Sequence, residues 1–227
     1  MSTHLPEGDD VSRHEAIGDG KTVYVIHMDG KVTPIDTATN KPGTPIPPGE
    51  GSCPQWRAVR HACDRGLLAG NFVISPDGKT AYATTMSGCH AECLGPTVIV
   101  TPINTATDTL GTPLKFHVTA RGTFGQLAIT PDGKTAYVTT GSTVTPINTA
   151  TNTPGTPIHL RPARSFGSFW GQIVITPDGE TAYVLTGGYL VIGGVVSSLT
   201  PINTATNTPG TPIHVSGAPY QAIAITP

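Results

Sequence analysis

Three groups of residues in this 227-residue chain carry side chains that could do chemistry. The first sets arginine among aromatics. Six of the seven arginines, Arg57, Arg60, Arg65, Arg121, Arg161 and Arg164, fall in three stretches. The same stretches hold Trp56, Phe124, Phe166, Phe169 and Trp170. A guanidinium grips oxyanions through paired N–H donors and stacks on rings, which makes arginine with aromatics the composition of interface hot spots. Arg57, Arg60, Arg121, Arg164, Trp56, Phe169 and Trp170 are the expected anchors for an anionic or carbohydrate ligand, or for a protein partner. The plainer alternative packs the arginine stems over the rings and leaves their charged ends in water.

The second group is Cys53, His61, Cys63, Cys89, His90 and Cys93, in two nearby insertions. An even cysteine count allows two disulfides, either Cys53–Cys63 with Cys89–Cys93 or cross-paired between the insertions. A zinc site over the same four cysteines with His61 and His90 is the sharper alternative, although the spacing departs from the common paired knuckles. Free thiols are the third. The third group is an amide set, Asn71, Gln126 and Gln172, at one aligned position of a repeat. These amides could hold a ligand or ordered water, or could satisfy backbone groups of nearby loops. No nucleophile elbow, phosphate-binding loop or H-E-x-x-H pattern occurs, so no catalytic residue and no cofactor is expected.

The elements that position these groups come from an internal repeat, the feature that decides architecture first. Its barest copy is ITPDGKTAYVTTGSTVTPINTATNTPGTPIHL, residues 129–160. Asp-Gly pairs recur at Asp19-Gly20, Asp77-Gly78, Asp132-Gly133 and Asp178-Gly179, and Thr-Pro-Ile recurs at residues 33, 101, 145 and 200. In the bare copy the apolar run Leu127–Thr130 reads as a first strand, ended by Pro131 and a hairpin signal. The β-branched and aromatic run Ala136–Thr140 reads as a second strand, Thr143–Asn148 as a third and Thr156–Leu160 as a short fourth. The polar stretch 149–155 reads as a loop, since its hydroxyls and amides compete for backbone hydrogen bonds. Four strands in about 40–50 residues is the arithmetic of a β-propeller blade, and no helical apolar period appears.

The motifs PDGKTAYVTT…TVTPINTATNTPGTPI and, more loosely, GDGKTVYVIHMDGKVTPIDTATNKPGTPI resemble the YVTN family of β-propeller repeats. The resemblance covers about residues 17–227 outside the insertions and implies an all-β propeller of four-stranded antiparallel blades. It also implies a protein that binds, often outside the cytoplasm, although the chain's first residues are polar and form no signal peptide. The family commonly has about seven blades; this chain has room for about four. The expected division is a flexible tail, 1–16, then repeats of about 17–66, 67–122, 123–168 and 169–221. A final inner strand lies at 222–227. Two arrangements stay open: a closed four-bladed ring in which Ala222–Thr226 supplies the inner strand of the first blade, or part of a longer array.

With strands alternating in direction, the insertions 49–66, 86–96, 161–171 and 187–197 all leave from one end of the blades. Loops that grow on one end of a rigid scaffold commonly carry binding. A non-enzymatic binding module follows as the leading expectation. A metal-dependent lactonase- or hydrolase-like propeller enzyme, or a repeat protein without independent activity, are the alternatives. A formal charge of −2 excludes a strong general field for nucleic acid, and no apolar run is long enough for a spanning helix. A monomer is expected, or a dimer if the ring is open. Recurrent Tyr24, Tyr82, Tyr137 and Tyr183, and His117, His159 and His214, read as packing or surface positions because they return with the repeat.

Overall fold

The computed structural model describes residues 11–16, 20–27, 30–47, 68–87, 97–118, 125–160, 170–187, 196–216 and 223–225. Every regular element among them is a strand, and the strands form four antiparallel sheets. The chain divides into two compact units, Met1–Phe116 and His117–Pro227. The first sheet runs β1 (Val11–Ala16), β2 (Thr22–His27), β3 (Val32–Asp36) and β4 (Lys41–Pro42). The second runs β5 (Leu68–Ile74), β6 (Thr80–Ser87), β7 (Thr97–Asn104) and β8 (Thr109–Leu110), with β9 (Leu114–His117) also on β7. In the second unit, β10 (Leu127–Ile129), β11 (Thr135–Thr140), β12 (Thr143–Asn148) and β13 (Thr153–Pro154) form the third sheet, with β14 (Ile158–His159) also on β12. The fourth holds β15 (Trp170–Ile175), β16 (Thr181–Gly187), β17 (Val196–Asn203), β18 (Thr208–Pro209) and β19 (Ile213–Ser216).

Two expectations are corrected here. The inner neighbour of β2 is β1, whose Ala16, Glu15 and His14 pair with Val23, Tyr24 and Val25. The inner place in the first sheet is therefore taken by β1, and Ile223–Ile225, the described part of the expected strand Ala222–Thr226, lie outside any strand. The sheet also begins ahead of residue 17. Backbone pairing alone makes a strand of Val11–Ala16, which lacks the apolar run that marks its counterparts. The second correction concerns the outer strand, which starts earlier than residue 156 and is broken in two. Thr153–Pro154 pairs with Ile147 and Asn148, and Ile158–His159 pairs with Val144 and Thr143.

The break has a chemical cause. Each third strand carries a proline in mid-ladder, opposite the tyrosine of the second strand: Pro34 on Tyr24, Pro102 on Tyr82, Pro146 on Tyr137 and Pro201 on Tyr183. Proline has no N–H to give, and within a strand N and C=O point to the same side. The carbonyls of Pro102 and Pro146 accept the N–H of Gly111 and Gly155 at 2.8 and 2.7 Å, so the ring nitrogens face the same outer strand. There the ladder is interrupted, and no donor is missed. A Cβ at Gly111 would lie 2.9 Å from Pro102 Cγ, which reserves the break for glycine.

Apolar residues on alternate strand positions bury one sheet against the next within each unit. In the first, Tyr24, Ile26, Val32 and Ile46 pack on Phe72, Ala81, Ala83 and Ile103, with the Tyr24 and Phe72 ring centroids 5.6 Å apart. In the second, Tyr137, Val144, Ile158 and Leu160 pack on Ile173, Ala182, Val184 and Ile202. Each large side chain buried this way contributes about 1.5–3 kcal/mol.

Candidate functional site

The two ends of every sheet differ in what their side chains do. At one end sit the Asp-Gly hairpins. Thr130 O accepts the Gly133 N–H at 2.8 Å, with Pro131 and Asp132 as the middle pair of the turn. Only the glycine has positive φ (72°), so Asp-Gly is not itself the two-residue loop of a primed turn. Asp132 Oδ1 accepts the Thr130 hydroxyl at 2.7 Å and the Lys134 N–H at 3.0 Å. Asp77 repeats the arrangement with Ser75 and Lys79, and Asp178 with Thr176 and Glu180. Donation by the Ser or Thr hydroxyl, then by the backbone N–H, holds all three carboxyls below the usual carboxylate range.

The turn between third strand and outer strand braces this hairpin. Asn148 Oδ1 accepts the Thr151 N–H, three residues on, at 3.0 Å, which closes the turn locally. The Thr149 hydroxyl donates to Gly133 O at 2.6 Å, as Thr37, Thr105 and Thr204 do to Gly20, Gly78 and Gly179. The turn ends on a non-glycine residue in the left-handed region: Asn40, Asp108, Asn152 or Asn207, with φ of 51–55°. Two of these side chains receive a tyrosine from the preceding sheet. Tyr24 Oη donates to Asp108 Oδ1 at 2.7 Å, and Tyr137 Oη donates to Asn207 Oδ1 at 2.7 Å. Burial, then the Asp108 hydrogen bond and its charge, pushes the Tyr24 phenol well above the ordinary tyrosine range. Burial raises Tyr82 and Tyr137 too, helped by the Asp77 and Asp132 charges. The recurrent motif is thereby accounted for as bracing within a sheet and tying between sheets. Among the described residues its aspartates Asp77, Asp132 and Asp178 stand one to a turn, each engaged by its own turn.

The opposite end is where the insertions leave. The second and third strands are paired as far as Ser87↔Thr97 and Gly187↔Ser197, so residues 88–96 and 188–195 depart there. His159 pairs with Thr143 at the start of the third strand, so the connection 161–169 departs from that end as well. Of the expected site residues, Asn71, Gln126 and Gln172 are placed near this end. Asn71 is buried, and its N–H donates to the Thr84 hydroxyl at 2.6 Å. The Gln126 N–H donates to the Thr139 hydroxyl at 3.1 Å. In the fourth sheet Leu185 stands in place of that threonine, and the Gln172 side chain accepts the Ile223 N–H through Oε1 at 3.1 Å. Trp170 opens β15. Arg57, Arg60, Arg121, Arg164, Trp56 and Phe169 lie outside the described residues, as do Cys53, Cys63, Cys89, Cys93, His61 and His90.

A groove of about 510 Å³ in the second unit is lined by His159, Thr200 and Pro209–Pro212. It lies over the break in the outer strand, a feature that proline spacing could have revealed. Its described lining offers an exposed imidazole but no carboxylate or thiol to pair with it. Exposed His117, His159 and His214 and buried Tyr24, Tyr82 and Tyr137 occupy the surface and packing positions that their recurrence implied. The aspartate-bearing turns, for their part, gather no group of three or more His, Cys, Asp or Glu side chains able to hold a metal among the described residues.

A scan against protein-family models gives no match for this chain, and a search of curated proteins gives none. No helix among the described residues is long and apolar enough to cross a membrane.

Proposed function

We propose that the chain is a YVTN-like, propeller-type repeat protein serving as a non-enzymatic binding module. Its ligand is anionic, with an acidic glycan as the class that best suits arginine beside aromatic rings. The observation that carries this reading is the division of labour between sheet ends. At the hairpin end, repeated polar side chains are engaged with one another and with backbone. The non-repeating stretches 48–67, 119–124 and 161–169, which lie outside the described residues, hold six of the seven arginines and Trp56, and the alternation of strand direction assigns them to the opposite end. Arginine supplies bidentate oxyanion contacts there, and the indole and phenyl rings supply flat apolar surface for a sugar ring.

Binding of the purified chain to a sulfated polysaccharide, against its desulfated form, tests this. In the first unit Arg57→Ala with Arg60→Ala, and in the second Arg121→Ala with Arg164→Ala, should each weaken binding about tenfold or more, roughly 1.4 kcal/mol. Neither pair should lower the melting temperature, and added salt should weaken wild-type binding. Equal binding of the desulfated polymer, or full binding by both variants, overturns the reading.

A further inference from the structure

The break in the outer strand leaves the same short segment outside the ladder in every sheet. Residues 43–45, 111–113, 155–157 and 210–212 each read Gly-Thr-Pro, and none of them lies in a strand. The segment is pinned on both sides. Its glycine N–H donates to the carbonyl of the third-strand proline at 2.7–2.8 Å. The residue that follows returns to the ladder, Ile46 on Val32, Ile158 on Val144 and Ile213 on Leu199. Between these points the proline restricts the threonine before it to extended backbone.

These threonines differ from the others of the outer turn in what their hydroxyls do. Thr37, Thr105, Thr149 and Thr204 donate to a hairpin carbonyl. Thr107 shares a hydrogen bond with Thr109 at 2.8 Å, and Thr151 with Thr153 and Thr206 with Thr208 each share one at 2.7 Å. Thr44, Thr112, Thr156 and Thr211 are exposed. For Thr44, Thr156 and Thr211 no hydrogen bond to the hydroxyl is found among the described residues, so the turn is braced without them. Their surroundings are uncharged as well. Residues 148–158 and 203–213 share the identical sequence NTATNTPGTPI, which has no Asp, Glu, Lys or Arg. Charged residues make up 12% of the whole chain, about half the ordinary share. Yet these segments adjoin β13 and β18, which end the strand order of their sheets, where proteins ordinarily place charge.

We infer that Thr44, Thr112, Thr156 and Thr211 are acceptors for O-linked sugar, one site to each sheet. An exposed hydroxyl on extended, unpaired backbone is what a transferase cleft can take in, and threonine with proline is the composition of O-glycosylated segments. In the fourth sheet open volume lies beside the acceptor, since Thr211 lines the groove with His159 and Thr200. The donor is a sugar activated through phosphate, carried on a nucleotide or a lipid. Threonine Oγ1 bonds to the anomeric carbon as the bond from that carbon to the phosphate oxygen breaks. The phosphate leaves with the electron pair, and the hydroxyl proton passes to a base of the transferase. The sugar's own hydroxyls then solvate an edge that has no charge to do so. This inference stands apart from the ligand-binding reading above, since it uses none of the arginine-bearing stretches.

Peptide mapping by mass spectrometry tests it, on protein isolated from the organism that encodes it and with fragmentation that leaves O-linked groups in place. Sugar should be found on Thr156 and Thr211, which stand in identical segments, and on Thr44 and Thr112. Thr151, Thr153, Thr206 and Thr208, whose hydroxyls are engaged, should stay bare. Thr156→Val with Thr211→Val, produced in the same organism, should lose the sugar from both segments and gain none on neighbouring threonines. Stripped of its remaining sugar, that variant should melt with stripped wild type, because valine keeps the shape and the lost hydroxyl braces nothing. Bare hydroxyls at Thr156 and Thr211, phosphate in place of sugar, or sugar confined to other threonines overturns the inference. A lower melting temperature for the stripped variant overturns the reading of these hydroxyls as unused by the fold. Stripped wild type that stays as soluble as the glycosylated protein overturns the solvating role.

Discussion

The third and fourth sheets carry nearly the same residues in the same register, yet they differ in what lies over them. Tyr137 is fully buried against the fourth sheet and donates to Asn207, whereas Tyr183, at the same place in its own sheet, stays half-buried. Ile158 and Ile213 differ likewise. A repeat residue therefore has no fixed energetic weight. Its weight comes from the neighbour that excludes water, as expected when repeat stability is a sum of intrinsic and interfacial parts.

The sharpest way to break this comparison is truncation at both positions. Tyr137→Ala removes a fully buried ring and its hydrogen bond, and should cost about 3–5 kcal/mol in urea unfolding. Tyr183→Ala should cost less than half as much, because water already reaches the ring. Equal costs at the two positions would mean that Tyr183 is covered in solution.

Much of this is legible in the sequence. Thr143–Asn148 was delimited to the residue, because alternating β-branched residues between Gly-Ser and a polar turn leave one register. The first sheet's inner strand was not legible. Arg13, His14 and Glu15 give Val11–Ala16 no apolar run, and only an open edge on β2 makes a strand of it. The broken outer strand was hidden for a related reason. Thr, Asn, Pro and Gly at 149–155 read as a loop, while the pairing of Pro154 with Ile147 follows from where Pro146 turns its ring nitrogen. Recurrence marks Tyr24, Tyr82 and Tyr137 as packing residues, but the hydroxyl partners of Tyr24 and Tyr137 lie 70 or more positions away in sequence. Of the amide set, Gln172 reaches a far segment, at Ile223. No local spacing rule reaches that distance.

A second, smaller difference separates the two tyrosine ties: one acceptor is a carboxylate and the other an amide. Tyr24→Phe should cost about 1.5 kcal/mol and Tyr137→Phe about 1 kcal/mol, since bonds to charged groups are the stronger. Asp108→Asn should be nearly neutral at pH 7, because Asn207 makes the same bond from the same backbone conformation. The alkaline limb sharpens the point. The folded Tyr24 phenol is held above its unfolded value, so its stabilisation is complete below about pH 10 and is lost as pH rises further. Tyr24→Phe should flatten that limb, and Asp108→Asn should flatten it in part by removing the carboxylate's charge. An unchanged alkaline limb in Y24F would show that the phenol titrates alike in folded and unfolded chains.

The smallest expected effect concerns the hairpin end, where carboxylates brace turns in full view of water. Asp132 accepts its hydroxyl and amide donors while exposed, so solvent screens most of what those bonds contribute. Its folded carboxyl titrates below the unfolded one, so the contribution is present above the unfolded carboxylate range and fades as pH falls through the folded one. Asp132→Asn keeps an oxygen acceptor at the same place and loses only the charge. It should therefore lower the melting temperature slightly at pH 7 and not at all in strong acid, where the wild-type carboxyl is itself neutral. Asp132→Ala removes the acceptor as well, leaving the Lys134 N–H to water at every pH. Its deficit should persist in acid, which separates the bond from the charge. A deficit for the asparagine variant that is the same at both pH values would place the whole effect in turn geometry instead.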